Sequence, residues 1–117
     1  MSGLVEFLRA RLDEDEATAL EAPKGPWHIG NAIDPTEPCD LRTFPDVRMV
    51  ADGLNWLVAE HIARHNPARI LVEVEAKRRI VDDAWGGPDH QDMWEHHIRL
   101  LALPYASHPD YREEWKP

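Results

Sequence analysis

Seven histidines stand in a chain of 117 residues, and His61 and His65 fall four apart in a stretch with helical spacing. Four-apart positions share one face of a helix, where two imidazoles can hold a divalent metal ion. The glutamate that would make this pair a metalloprotease motif is missing, because Ile62 occupies its place. A third ligand would have to come from elsewhere, and the segment carrying His90, Glu95, His96 and His97 is the richest source. His61, His65, His90, His96 and His97 are therefore the candidate metal ligands, and the chemistry they would support is a metal-binding module or a metal-dependent hydrolase. The plainer alternative places His61 and His65 in a helix–helix contact, bonded to backbone or carboxylate partners.

Other chemistry finds less support. Ser2 and Ser107 lie at the chain edges and neither sits in a G-x-S-x-G turn, so no serine nucleophile is assembled. Cys39 lies in a proline-rich loop with no base close in sequence to activate its thiol. The glycine of Ala22-Pro23-Lys24-Gly25-Pro26-Trp27 stands without the further glycines and following helix that a phosphate loop needs. The run Asp13-Glu14-Asp15-Glu16 points around most of a helix and cannot converge on one ion, so a solvated turn is the simpler reading. Lys77, Arg78 and Arg79 form a basic strip that Glu73 and Glu75 largely neutralise. No catalytic residue is assigned, and with no cofactor motif present no cofactor is expected.

The elements that would position these residues follow from spacing and punctuation. Leu4, Val5, Leu8 and Leu12 predict a helix over about 3–20, with Ser2 as its cap. Two prolines and a glycine end it, and Trp27 anchors the turn onto the core. Trp27–Ile29 and Val47–Ala51 then predict two short strands, an antiparallel hairpin over about 26–51 with a long loop at 30–45. Helices are expected at about 54–65, 67–82 and 92–103, with a short C-terminal helix at about 109–115. The central break is the clearest signal, since Asn66 suits a cap and Pro67 the first helical position. Beyond it, Ile70, Leu71, Val74 and Val81 make one apolar stripe, widened by Ile80. The expected architecture is α+β, a mainly helical single domain with a small antiparallel β-hairpin between helix one and a central helical pair.

The formal charge of −9, from 22 acidic and 13 basic residues, disfavours broad binding to nucleic-acid backbones, which needs a surplus of cations. An acidic face instead suits a basic protein partner. The lone cysteine is compatible with a reducing cytoplasm, and no segment approaches the roughly 20 apolar residues that span a bilayer. A cytoplasmic protein with a protein partner and no membrane is expected, with a homodimer through a leftover apolar helix face compatible with the sequence.

Four segments carry a resemblance: VEFLRARLDEDE at 5–16, A-P-K-G-P-W at 22–27, HIARHNPARIL at 61–71 with EVEAKRRIV at 73–81, and LLALPYASHPDYREEW at 100–115. Together and in this order they resemble DUF6221, small uncharacterised proteins of actinobacteria and their phages. The G-P-W turn followed by a helical segment is also similar to phage proteins of the Ead/Ea22 type. The first resemblance implies no activity, cofactor or catalytic residue. It implies for some relatives a cysteine-based metal site before the L-A-L-P-Y-A segment, yet residues 82–99 here contain no cysteine. The function expected is that of a small acidic, non-enzymatic interaction or regulatory protein of phage or mobile-element type.

Overall fold

A computed structural model describes residues 3–30, 34–84 and 91–117. Its elements run α1 (Leu4–Glu21), β1 (Trp27–Gly30), β2 (Cys39–Thr43), β3 (Met49–Leu54), α2 (Trp56–Arg64), α3 (Pro67–Ala84) and α4 (Gln91–Ala102), with single 3-10 turns at Leu103–Tyr105 and Glu113–Trp115. This is the α+β architecture the sequence predicts, mainly helices with one small antiparallel sheet. The chain gathers into two compact units, Met1–Asp15 with Glu73–Pro117, and Glu16–Val72.

The sheet lies in the unit Glu16–Val72 and differs from the expected hairpin. Its order is β1-β2-β3, both pairings antiparallel, so β1 and β3 each pair with β2 rather than with each other. The new strand occupies the second half of the expected loop at 30–45. Its sequence, Cys39-Asp40-Leu41-Arg42-Thr43, does alternate, with Cys39 and Leu41 buried against Ala59 of α2. The intervening charges satisfy each other, Arg42 donating to both oxygens of Asp40 at 3.1 and 2.9 Å. A charged pair two residues apart thus shares one sheet face, an arrangement that hides a strand from any reading based on hydrophobicity. β3 also runs beyond Ala51, its expected end, through Asp52-Gly53 to Leu54, with Gly53 at a φ of 65°. Ile29, Val50, Leu54, Trp56, Ile62 and Ala63 complete the core around Cys39, Leu41 and Ala59.

Helix punctuation follows local chemistry. α2 begins at Trp56 because the Asn55 side chain accepts the Leu57 N–H at 2.9 Å. Asn66 likewise accepts the Arg69 N–H at 3.2 Å, and Pro67 takes the first position of α3. Val74 and Val81 of the expected stripe are buried, Ile70 and Leu71 are half-buried, and Ile80 is exposed. Ser2 and the glycine pair at 86–87 lie outside the described residues.

In the unit Met1–Asp15 with Glu73–Pro117, Leu4, Val5, Phe7, Leu8 and Leu12 of α1 are buried, as are Ile98 and Ala102 of α4. The C-terminal segment docks on this unit, closing a single 3-10 turn at Glu113–Trp115 where a helix over about 109–115 is expected. Pro104 and Pro109 each remove a backbone donor, and the chain closes only short turns such as Ala106 N–H to Leu103 O at 3.0 Å. Trp115 is buried, its ring 5.1 Å from that of Phe7, and Tyr111 meets Phe7 edge-on at 5.8 Å. From α4, Arg99 donates to the carbonyls of Glu114 and Lys116 at 3.2 and 3.3 Å and holds the tail's last turn.

Candidate functional site

A hollow of about 530 Å³ lies in the unit Glu16–Val72 between two turns. One wall is the end of α1 with Ala22-Pro23-Lys24-Gly25, and the other is Thr43-Phe44-Pro45-Asp46 with Arg48. The prolines that end α1 create the first wall, and the indole N–H of Trp27 fastens it by donating to the Pro23 carbonyl at 3.0 Å. Trp27 is half-buried, in keeping with its expected role as the turn's anchor. Gly25 has a φ of 95°, and a Cβ there would stand 2.8 Å from the Phe44 carbonyl oxygen. Glycine is therefore needed for both backbone conformation and close approach of the two walls.

The second wall is a hairpin turn closed by its own side chains. Thr43 donates its hydroxyl to the Asp46 carbonyl and accepts the Arg48 N–H at 2.9 Å. Thr43 N–H reaches the Arg48 carbonyl at 2.9 Å, and Arg48 pairs with Asp46 at 3.0 Å. The turn also presents Phe44 to solvent, its ring edge-on to His28 at 5.3 Å. Leu20 and Phe44 line the hollow, Val47 and Met49 flank Arg48 of the same wall, and all four are more than half exposed. This arrangement offers apolar contact area and fixed shape. The titratable groups on it are Lys24, Asp46 and Arg48, the last two paired with each other at 3.0 Å.

The candidate metal ligands fare differently from one another. His61 and His65 do come together, with ring centroids 4.4 Å apart, and both are exposed rather than set in a helix–helix contact. His96 and His97 are exposed on α4, their rings 6.1 Å apart, and His97 lies 5.3 Å from Trp94. His90 lies outside the described residues. Among the described residues, no three of His, Cys, Asp and Glu are grouped to hold a metal ion. Cys39 is buried, its thiol donating to the Leu54 carbonyl at 3.3 Å.

Sequence reasoning undervalued the acidic run at 13–16. Asp13 pairs with Arg78 at 2.6 Å, Glu14 with Arg11 at 3.0 Å, and Asp15 accepts the Tyr105 hydroxyl at 2.5 Å. Burial first, then the bond to Asp15 and the nearby charges of Asp15 and Glu73, push the Tyr105 phenol well above its ordinary value. The basic strip is absorbed in part by the same run, and Arg79 turns to Glu75 at 3.3 Å. Arg11, only 9% exposed, packs its guanidinium over the Phe7 ring at 5.0 Å and reaches His108 Nδ1 at 3.0 Å. A guanidinium only donates, so Nδ1 must accept, and it accepts the Asp110 N–H as well at 3.0 Å. The His108 proton accordingly sits on Nε2. The first and last of the resembling segments thus meet through part-buried polar contacts that tie the tail to α1.

The model of DUF6221, a family of unknown function, matches residues 1–117. The chain belongs to this family. No curated protein and no solved structure matches it. In this DUF6221 chain no helix among the described residues is long and apolar enough to cross a membrane.

Proposed function

We propose that this DUF6221 protein is a non-enzymatic interaction protein that anchors an apolar segment of a basic protein partner in the hollow between Ala22–Gly25 and Thr43–Arg48. The observation that carries the reading is the placing of Leu20 and Phe44, each more than half exposed, on facing walls of one hollow whose first wall is fastened by the Trp27–Pro23 hydrogen bond. Apolar side chains concentrated in this way on a preformed surface are the usual anchor of a protein contact. The net charge of −9 supports a basic partner, since an acidic protein's field draws cationic surfaces toward it and repels acidic ones. Cys39, reduced and buried, is in keeping with work in the cytoplasm. An accessory role on a mobile element belongs to the same proposal.

Selection of displayed random peptides on the immobilised full chain tests the reading. Enriched sequences should share an apolar anchor with lysine or arginine close by, and Leu20→Ser and Phe44→Ser should each abolish their capture. Enrichment that survives both substitutions would refute the site, and acidic consensus sequences would refute the partner's charge.

A further inference from the structure

We propose that the exposed face of α2 binds a divalent transition-metal ion such as Zn²⁺ between His61 and His65, and that a second copy of the chain completes the site. This goes beyond the hollow of the preceding section and uses none of its residues.

The two rings stand side by side at the end of α2. Their centroids lie 4.4 Å apart with planes tilted by 38°, and both side chains are exposed, so an ion can approach without any change in packing. One ring is also set in a ligating form. His65 Nδ1 lies 2.8 Å from the carbonyl oxygen of His61. A carbonyl can only accept, so the proton is on Nδ1, and Nε2 keeps a free lone pair. Donation of the second ring nitrogen to a backbone carbonyl is the arrangement that orients metal-bound histidines and raises their basicity. The pair also stands at the C-terminal end of α2, where the helix dipole favours a cation.

Two imidazoles leave a zinc ion half coordinated, and no third His, Cys, Asp or Glu joins them among the described residues. A two-fold axis through the ion would bring the same two histidines from the second copy and complete a tetrahedral four-nitrogen site. The surroundings fit such a symmetric contact. Leu57 lies four residues before His61 on the same stripe and, at 73%, is the most exposed large apolar side chain among the described residues. It lines one shallow hollow of about 210 Å³ together with Glu60, His61, Arg64 and His65. Glu60 and Arg64 carry opposite charges on that rim, so the patch is complementary to itself when turned through a two-fold axis. Occupation exchanges water on the ion for imidazole nitrogen and leaves the helix intact.

Metal-free protein without a histidine tag, titrated with Zn²⁺ and followed by native mass spectrometry and sedimentation, tests the proposal. The expected result is one Zn²⁺ per two chains, a dimer that forms with the metal and is reversed by EDTA. His61→Ala and His65→Ala should each eliminate both the metal and the dimer, while Phe44→Ser leaves them unchanged. Leu57→Asp should keep the requirement for both histidines while weakening the dimer. Zinc bound at one per chain without association, a dimer indifferent to both alanine variants, or no zinc uptake at micromolar concentration would each overturn it. Circular dichroism of the two alanine variants separates loss of the site from loss of the fold.

Discussion

Replacing Tyr105 by phenylalanine removes one oxygen and with it the bond to Asp15. At about pH 8 that bond, a phenol donating to a carboxylate, is worth roughly 1–2 kcal/mol, so Tyr105→Phe should be less stable by that amount. Raising the pH should then change the difference in a direction the structure fixes. Burial and the charges of Asp15 and Glu73 keep the folded phenol protonated above its ordinary value of 10.0, whereas the unfolded phenol ionises there. The stabilisation is therefore fully present below about pH 10 and is lost as the pH climbs from there toward the folded-state value. Complete retention of the proton would cost about 1.4 kcal/mol of stability per pH unit above 10. Solvent screening of a partly exposed ring reduces this to roughly half. Urea unfolding of both proteins at about pH 8, 9, 10 and 11 should show the advantage of the wild type shrinking by about 0.7 kcal/mol between the last two points. Other groups that titrate in this range are common to both proteins and cancel. A difference that stays constant to pH 11, or grows, would refute the account of this contact. Absorbance near 295 nm gives an independent check, since the spectrum lost on substitution must be that of a phenol ionising late.

Gly25→Ala should destabilise by about 1–3 kcal/mol, because it forces a side chain into a φ of 95° against the Phe44 carbonyl, and urea midpoints will register it. Arg11→Met keeps the contact with Phe7 but leaves Glu14 and His108 without their guanidinium. A loss of roughly 1–3 kcal/mol is expected by the same assay, with tail amides around Tyr111 exchanging faster. Leu41→Ala empties a fully buried position beside Cys39 and Ala59 and should cost about 2–5 kcal/mol in thermal or chemical unfolding. Phe44→Ser, by contrast, should leave stability within about 0.5 kcal/mol, since a ring this exposed adds little to the core.

These contrasts also mark how far the sequence could be read. Asn66-Pro67 announced α3 because capping and the helical position of proline are local effects, decided within four residues. The strand Cys39–Thr43 was illegible because its alternating positions 40 and 42 carry charges that pair with each other, a solution visible only once their geometry is known. The acidic run at 13–16 looked like a solvated turn because its partners Arg78 and Tyr105 lie 65 and 90 positions away in the chain. The same distance concealed the lock between Arg11 and His108. At the hollow, the proline-glycine turn was evident, but the opposing wall fell in a presumed loop and strand edge. The one available signal was Phe44 and Val47, two large apolar residues flanking a Pro-Asp turn where polar ones are usual. For the histidines, four-residue spacing on α2 sets His61 beside His65, while their exposure depends on which face of α2 covers the sheet.

The central claim is that the hollow between the two turns holds an apolar segment of a partner. Titrating a selected basic-apolar peptide into isotopically labelled full-length protein, and following the backbone amide resonances, tests it most directly. The account predicts shifts concentrated at residues 20–25 and 43–49, absent in Phe44→Ser. Shifts centred on residues 57–65 or on the C-terminal segment, with 43–49 undisturbed, would contradict it.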